Sequence, residues 1–215
     1  MDTELLLLPV SVGEALDKLS ILDIKLKYIH DERKKNVKIE YDLLLEKLNP
    51  FLNKTQKYYD MLKKTNKYIW ELMDLLRDGV NIDNQEYVIL SKNTIIANDV
   101  RFRIKNKINI LSNSHIKEQK GYKVTKILFD LTNYEDEVNL LLKPLIYFSI
   151  LYDELHLKTN NEKIINYINK NINDIIFKIE NDVSYKQIFV FEQFYQNEGN
   201  IYNFLSIKND IDKFI

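Results

Sequence analysis

The residues whose types and spacing could do chemistry lie first in the segment GEALDKLSILDIK, from Gly13 to Lys25. Glu14, Lys18, Ile21 and Lys25 follow one another at spacings of four, three and four, which aligns side chains along one helix face. Asp17 and Lys18 stand three and four residues after Glu14, the separations at which helical ion pairs form. Exposed pairs of this kind contribute only ~0.2–0.5 kcal/mol each. A second charged pair, Asp99 and Arg101, lies in a distant helical stretch, with Arg101 on its apolar seam. If the first set were buried against the second, the charges would set register or build a polar pocket for an anion. The plainer account is an amphipathic helix with charged flanks, and the sequence leaves both open.

A separate candidate lies at the end of the apolar run KVTKILFDL, where Asp130 and Asn133 close what reads as a strand. Open α/β sheets place ligands beyond the carboxyl ends of their strands. The simpler role for Asp130 and Asn133 is to cap the turn into the next helix. An aspartyl phosphotransferase would want a second acid two residues on, and that position is Thr132. Asp210-Ile211-Asp212 matches a metal-holding DxD pattern in form only, because no strand precedes it. His30, His115 and His156 are too scattered for a metal site and read as surface or packing residues. No phosphate loop, GxGxxG or nucleophile elbow is present, so neither a cofactor nor a metal is called for. Arg101, Arg103, Lys105 and Lys107 alternate at i, i+2, which scatters charge around a helix and reads as a solvated face rather than a nucleic-acid stripe.

The elements that must position these residues are mostly helices. Ser11 is a good N-cap, with Glu14 completing a capping box, and Leu16, Leu19, Leu22, Leu26 and Ile29 form one stripe. A second helix carries Val37, Tyr41, Leu44 and Leu48 and is expected to stop before Pro50. A third carries Tyr58, Leu62, Ile69, Leu72 and Leu76 and ends at Gly79. A fourth runs from about Gln85 to Leu111. Long stripes with short linkers predict an antiparallel helical bundle or hairpin array over residues 1–121.

From residue 122 to 215 the pattern alternates. KVTKILFDL, the apolar stretch up to Glu154, Leu155–Thr159, Glu162–Asn171 and Asp174–Glu180 read as strand, helix, strand, helix, strand. That is the βαβαβ signature of a small Rossmann-like, three-stranded parallel sheet, followed by helix from about Ser184. The alternative is that the short strands are buried helix segments. The expected class is thus α+β, mainly α.

Composition narrows the function. The chain of 215 residues has 4 Gly, 3 Pro and no Cys, which favours helices, excludes disulfides and thiolate chemistry, and fits an intracellular or virion-interior life. The net charge of −1 gives no global pull toward nucleic acid or anionic lipid. Basic residues exceed acidic ones by three through Gly121, and acidic exceed basic by four beyond it. The opening MDTELLLLPV lacks the basic flank of a signal peptide, so its leucines are expected in a packed strand or an N-terminal extension. No run is long enough for a membrane span.

GEALDKLSILDIKLKYI closely resembles the opening of an uncharacterised family of small bacterial and viral proteins that begin with a GELLDKLTILEIK-type segment. Ala15 and Asp23 depart from the commoner Leu and Glu. The resemblance continues through Asn36-Val37, Leu62, Trp70-Glu71-Leu72, Asn98-Asp99-Val100-Arg101, Lys107-Ile108-Asn109 and Glu118 to Tyr122. It spans roughly the first 120 residues. It implies that the recurring polar positions are Glu14, Asp17, Lys18, Lys25, Asn98, Asp99 and Arg101. It implies a setting among glycan-building genes and carries no established activity, while the C-terminal half resembles an extension of large-virus relatives.

Two functions follow as expectations. One is a cytoplasmic (or, if viral, host-cytoplasmic or virion) accessory protein that acts through a protein partner or a second copy of itself. The other is an enzyme or binding protein for a nucleotide sugar or sugar phosphate.

Overall fold

The computed structural model describes residues 7–79, 82–121, 123–132, 134, 138–171, 177–179, 188–190 and 213–215. The chain is mainly helical. Helix α1 spans Val12–Tyr28, α2 Arg33–Asp78 and α3 Asn84–Leu111. Strand β1 (Lys126–Asp130), a 3-10 turn at Val138–Leu141, α4 (Leu142–Leu151), β2 (Glu154–Lys158), α5 (Glu162–Asn171), β3 (Phe177–Ile179) and β4 (Ile188–Val190) follow. Residues divide into two compact units: Met1–Lys67 with Ile104–Lys120, and Tyr68–Arg103 with Gly121–Ile215. Helices α2 and α3 therefore each contribute to both.

In the first unit, Leu16, Leu19 and Leu22 of α1, Tyr58, Met61 and Leu62 of α2, and Ile104 and Ile108 of α3 are buried. Ser11 caps α1, its hydroxyl accepting the Glu14 N–H at 3.1 Å. The reciprocal arm of the expected capping box is not made, because the Glu14 carboxylate goes to Lys105 instead. Leu7 and Leu8 are exposed and lie outside any strand, so of the two expectations for the leucine run, a packed strand or an N-terminal extension, the packed strand does not hold for these two residues.

Helical conformation continues through Pro50, where a stop was expected. The direction does not continue. Lys18 pairs with Glu40 at 2.6 Å while its neighbour Asp17 accepts from Asn66 at 2.8 Å. In a straight helix residues 40 and 66 lie about 39 Å apart. Side chains on adjacent Cα atoms, 3.8 Å apart, cannot bridge that span. Helix α2 must fold sharply back between them, and Pro50 is the residue that breaks the ladder there. Its ring takes the place of an N–H for the Glu46 carbonyl, and both residues are exposed, so water can satisfy that carbonyl. Helix α2 ends at Gly79, whose φ of +56° is the left-handed conformation that glycine adopts most cheaply.

Among the described residues of the second unit, four strands pair in parallel, in the order β3-β2-β1-β4. A three-stranded sheet was expected, and the described sheet does not match it. β4 falls in the stretch read as helix, because three residues are too few to show a strand period. Ile127–Phe129 and Leu155–Leu157 are buried without alternation, as strands covered on both faces are. Phe129 meets Phe148 of α4 edge-on at 5.5 Å. Pro144 falls in the first turn of α4, where its missing N–H costs nothing. The helix expected from Ser184 falls at residues 188–190 on β4 and elsewhere largely outside the described residues.

Candidate functional site

The motif segment is fixed by a close approach of backbones. A Cβ on Gly13 would lie 2.4 Å from the Lys105 carbonyl oxygen, so nothing larger than glycine fits. The Gly13 N–H donates to Asn109 Oδ1 at 2.7 Å and the Val12 N–H to Ser114 Oγ at 3.2 Å. The Glu14 and Ala15 N–H groups go to Ser11. The first turn of α1 has therefore used its donors, and its positive end is not an open anion site.

Around that contact the charged residues pair inward. Lys105 Nζ lies 2.6 Å from a carboxylate oxygen of Glu14 and 2.6 Å from one of Glu118. Burial alone would lower the pKa of Lys105, but hydrogen bonds to Glu118 and Glu14 and the charges of Glu14 and Asp17 outweigh it and hold it above the usual lysine value. Asp17 is buried; its Oδ1 and the Ser20 hydroxyl both accept from the Asn66 amide. Asp23 pairs with Lys63 at 3.0 Å. Lys18 is on the surface with Glu40, and Lys25 is half-buried.

One amine is treated differently. Lys107 is buried with its ammonium 5.9 Å from the Tyr58 ring centre. Burial, with Lys57 nearby, brings its pKa down to about 7. Lys105 and Lys107 thus correct the expectation of a solvated basic face. Two-residue spacing sends these side chains in different directions, and here both directions are inward.

Asn98, Asp99 and Arg101 belong to the second unit. The Asn98 amide donates to the Thr94 carbonyl, and its oxygen lies 3.5 Å from Arg101. Arg103 holds Asp153 at 2.8 Å, and Asp153 also accepts from the N–H and hydroxyl of Thr125. At the carboxyl end of β1, Asp130 accepts from the Thr132 N–H and hydroxyl and pairs with Lys158 of β2 at 3.1 Å. Burial works against the carboxylate, but Thr132 and Lys158 hold the Asp130 pKa below its ordinary value. Asn133 and the Asp210–Asp212 pattern lie outside the described residues. The strand order turns at β1, with β2 and β3 on one side and β4 on the other.

The profile of the Family of unknown function (DUF6165) matches residues 6–138. The chain belongs to that family. Neither a curated protein nor a solved structure matches it.

The DUF6165 region takes in α1, α2, α3 and β1, including Asp130, and so runs past the expected 120 residues. Within it, sequence reasoning missed Ser20, Asn66, Lys105, Asn109 and Glu118 as partners of the motif. The resembling stretches Lys107-Ile108-Asn109 and Glu118–Tyr122 already contained two of these. Among the described residues no cluster of His, Asp and Glu could hold a metal ion. His156 is buried in β2 against Glu154, while His30 and His115 are exposed.

Proposed function

We propose that this DUF6165 chain is an accessory protein that works by docking another protein, its motif charges serving the fold. The observation that carries this is an apolar face on the first half of α3. Val88, Ile89, Ile95 and Ile96 are each about half exposed, with Ile95 at 63%. Residues seven apart return to one helix face, so Val88 with Ile95 and Ile89 with Ile96 form one stripe. Contiguous exposed apolar surface of this kind marks interaction sites. The inward pairing of Glu14 and Asp17 supports the same reading, because it leaves these carboxylates engaged by their own fold. Among the described residues no helix is long and apolar enough to cross a membrane. The resemblance to proteins of glycan-building loci gives the setting in which the partner would be sought, in the cytoplasm or, for a viral member, the host cytoplasm or virion.

The test replaces Ile89 and Ile96 by Glu in the full chain. Stability should change by less than about 0.5 kcal/mol, as for exposed positions. Self-association, read by analytical ultracentrifugation, or capture of a partner should be lost. If both persist undiminished, the reading fails.

A second reading is a ligand site for a nucleotide sugar or sugar phosphate at the sheet rim by Asp130. It is favoured by the reversal of strand order at β1, where doubly wound sheets open a crevice. Thermal-shift measurements with both ligand classes test it. No stabilisation at millimolar concentration removes it.

A further inference from the structure

One buried nucleophile of the first unit takes no part in the pairing around the motif: the amine of Lys107, a residue only 8% exposed. Its Nζ stands over the Tyr58 ring, 5.9 Å from the centre, and Lys57 Nζ lies 5.2 Å from the centre of the same ring. Among the described residues no carboxylate pairs with Lys107. The Tyr58 hydroxyl is buried too, and it has no hydrogen-bond partner among them. We propose that carbon dioxide reversibly carbamylates Lys107, converting it to a buried anion that Lys57 and the Tyr58 hydroxyl stabilise.

The reaction needs a neutral amine. Burial first, and then the positive charge of Lys57, bring the Lys107 pKa down to about 7. At about pH 7.4, roughly seven-tenths of Lys107 is then free amine, against about one in a thousand for a lysine at its usual ~10.4. The Nζ lone pair attacks the carbon of carbon dioxide. An N–C bond forms as one C=O π pair moves onto oxygen, and the N–H proton leaves to water. No oxidant or reductant is required.

The sign of the charge selects this electrophile. Burial opposes any charge, but Lys57 repels a cation and attracts an anion. An imine formed with an aldehyde would become an iminium and keep the charge that Lys57 repels. The carbamate oxygens are acceptors, which the Tyr58 hydroxyl lacks, and a buried donor left unmet is costly. Carbon dioxide is small and uncharged, so it can reach a side chain too enclosed for an acyl-transferring enzyme. The site is independent of the rim at Asp130 and of the docking face on the first half of α3.

The test equilibrates the full chain with carbon-13-labelled bicarbonate and reads the carbamate carbonyl by carbon-13 NMR. One resonance should be lost in Lys107→Met, with Lys107→Arg as the second variant. The α-amino group, whose pKa of about 7.7–8.0 also leaves free amine, gives a separate resonance that both variants keep. Lys57→Met should lower the Lys107 signal about two- to fivefold, as the loss of a part-exposed charge pair does. Trapping the wild type with triethyloxonium should leave an ethyl carbamate on Lys107, located by peptide mass spectrometry without any variant. A spectrum unchanged in Lys107→Met, equal yields in the wild type and Lys57→Met, or trapped label that is absent from Lys107 would each overturn the proposal.

Discussion

The first unit buries a lysine between two carboxylates, while the second sets an aspartate and a lysine at the rim of a sheet. The side chains are alike and their uses differ. Lys105 is 8% exposed, and its partners Glu14 and Glu118 come from opposite ends of the unit's sequence, so the pair cannot form until α1 meets α3. Asp130 and Lys158 sit on adjacent paired strands, already neighbours by register. Burial makes the first arrangement a condition of folding. Partial exposure leaves the second free to respond to something outside.

The largest effect should come from the contact that makes the first arrangement possible. In Gly13→Ala the new methyl would meet a backbone oxygen, which cannot rotate away as a side chain can. Helix α1 would have to lift from α3 and weaken the bond to Asn109. A loss of about 2–4 kcal/mol is expected from strain and the stretched hydrogen bond together. Urea denaturation followed by circular dichroism measures it, and an unchanged midpoint would mean that the approach is not close.

Lys107 should come next, with opposite sign. Its pKa of about 7 lies below the ~10.4 of an unfolded lysine. Between those values the unfolded chain binds more protons, so stability rises with pH by at most about 1.4 kcal/mol per unit. Below pH 7 the cost of the buried charge is fully present. Lys107→Met should raise stability at pH 7 and flatten the dependence between pH 7 and 9.5. A wild-type stability that is level over that window would refute the burial of an unpaired amine.

Lys105→Met strips both carboxylates of their partner. Glu14 and Glu118 keep side-chain exposures of 48% and 39%, so water can take over part of the role. The expected loss is about 1–2 kcal/mol, less than for a fully buried pair. Glu118→Gln should cost less, since Glu14 remains in contact. Equal losses for the two variants would show that Glu14 contributes nothing.

Much of this fold was legible from residue types alone. Ser11, the leucine stripe and Gly79 mark the ends and faces of helices because capping, burial and positive φ are local demands. Pro50 was legible as a break, though what breaks is the direction of the helix rather than its conformation. The candidate site was legible in part: Glu14, Asp17 and Lys18 were found, but their mates Lys105, Asn66 and Glu40 were not. A partner 22 to 91 residues away leaves no periodic trace, and alternation at i, i+2 made Lys105 look solvated. β4 escaped for a similar reason, since its pairing with β1 lies in the topology and not in its own three residues.

The smallest stability effect, and the sharpest use of the comparison, belongs to the rim. Asp130→Asn keeps an oxygen for the Thr132 N–H and hydroxyl and removes only the charge that faces Lys158. A part-exposed pair of this kind contributes less than about 1 kcal/mol. Because the folded pKa of Asp130 lies below the unfolded ~3.9, its stabilisation is present above that value and is lost as pH falls through the folded one. The wild type and the Asn variant should therefore converge in acid and separate only slightly at neutral pH. If the rim serves a ligand, Asp130→Asn will change the thermal shift given by a sugar phosphate far more than it changes the melting point of the free chain. Lys105→Met should do the reverse, lowering the melting point and leaving the ligand-induced shift alone. A rim variant that unfolds the chain, or a Lys105 variant that alters only the ligand response, would exchange the roles assigned to the two regions.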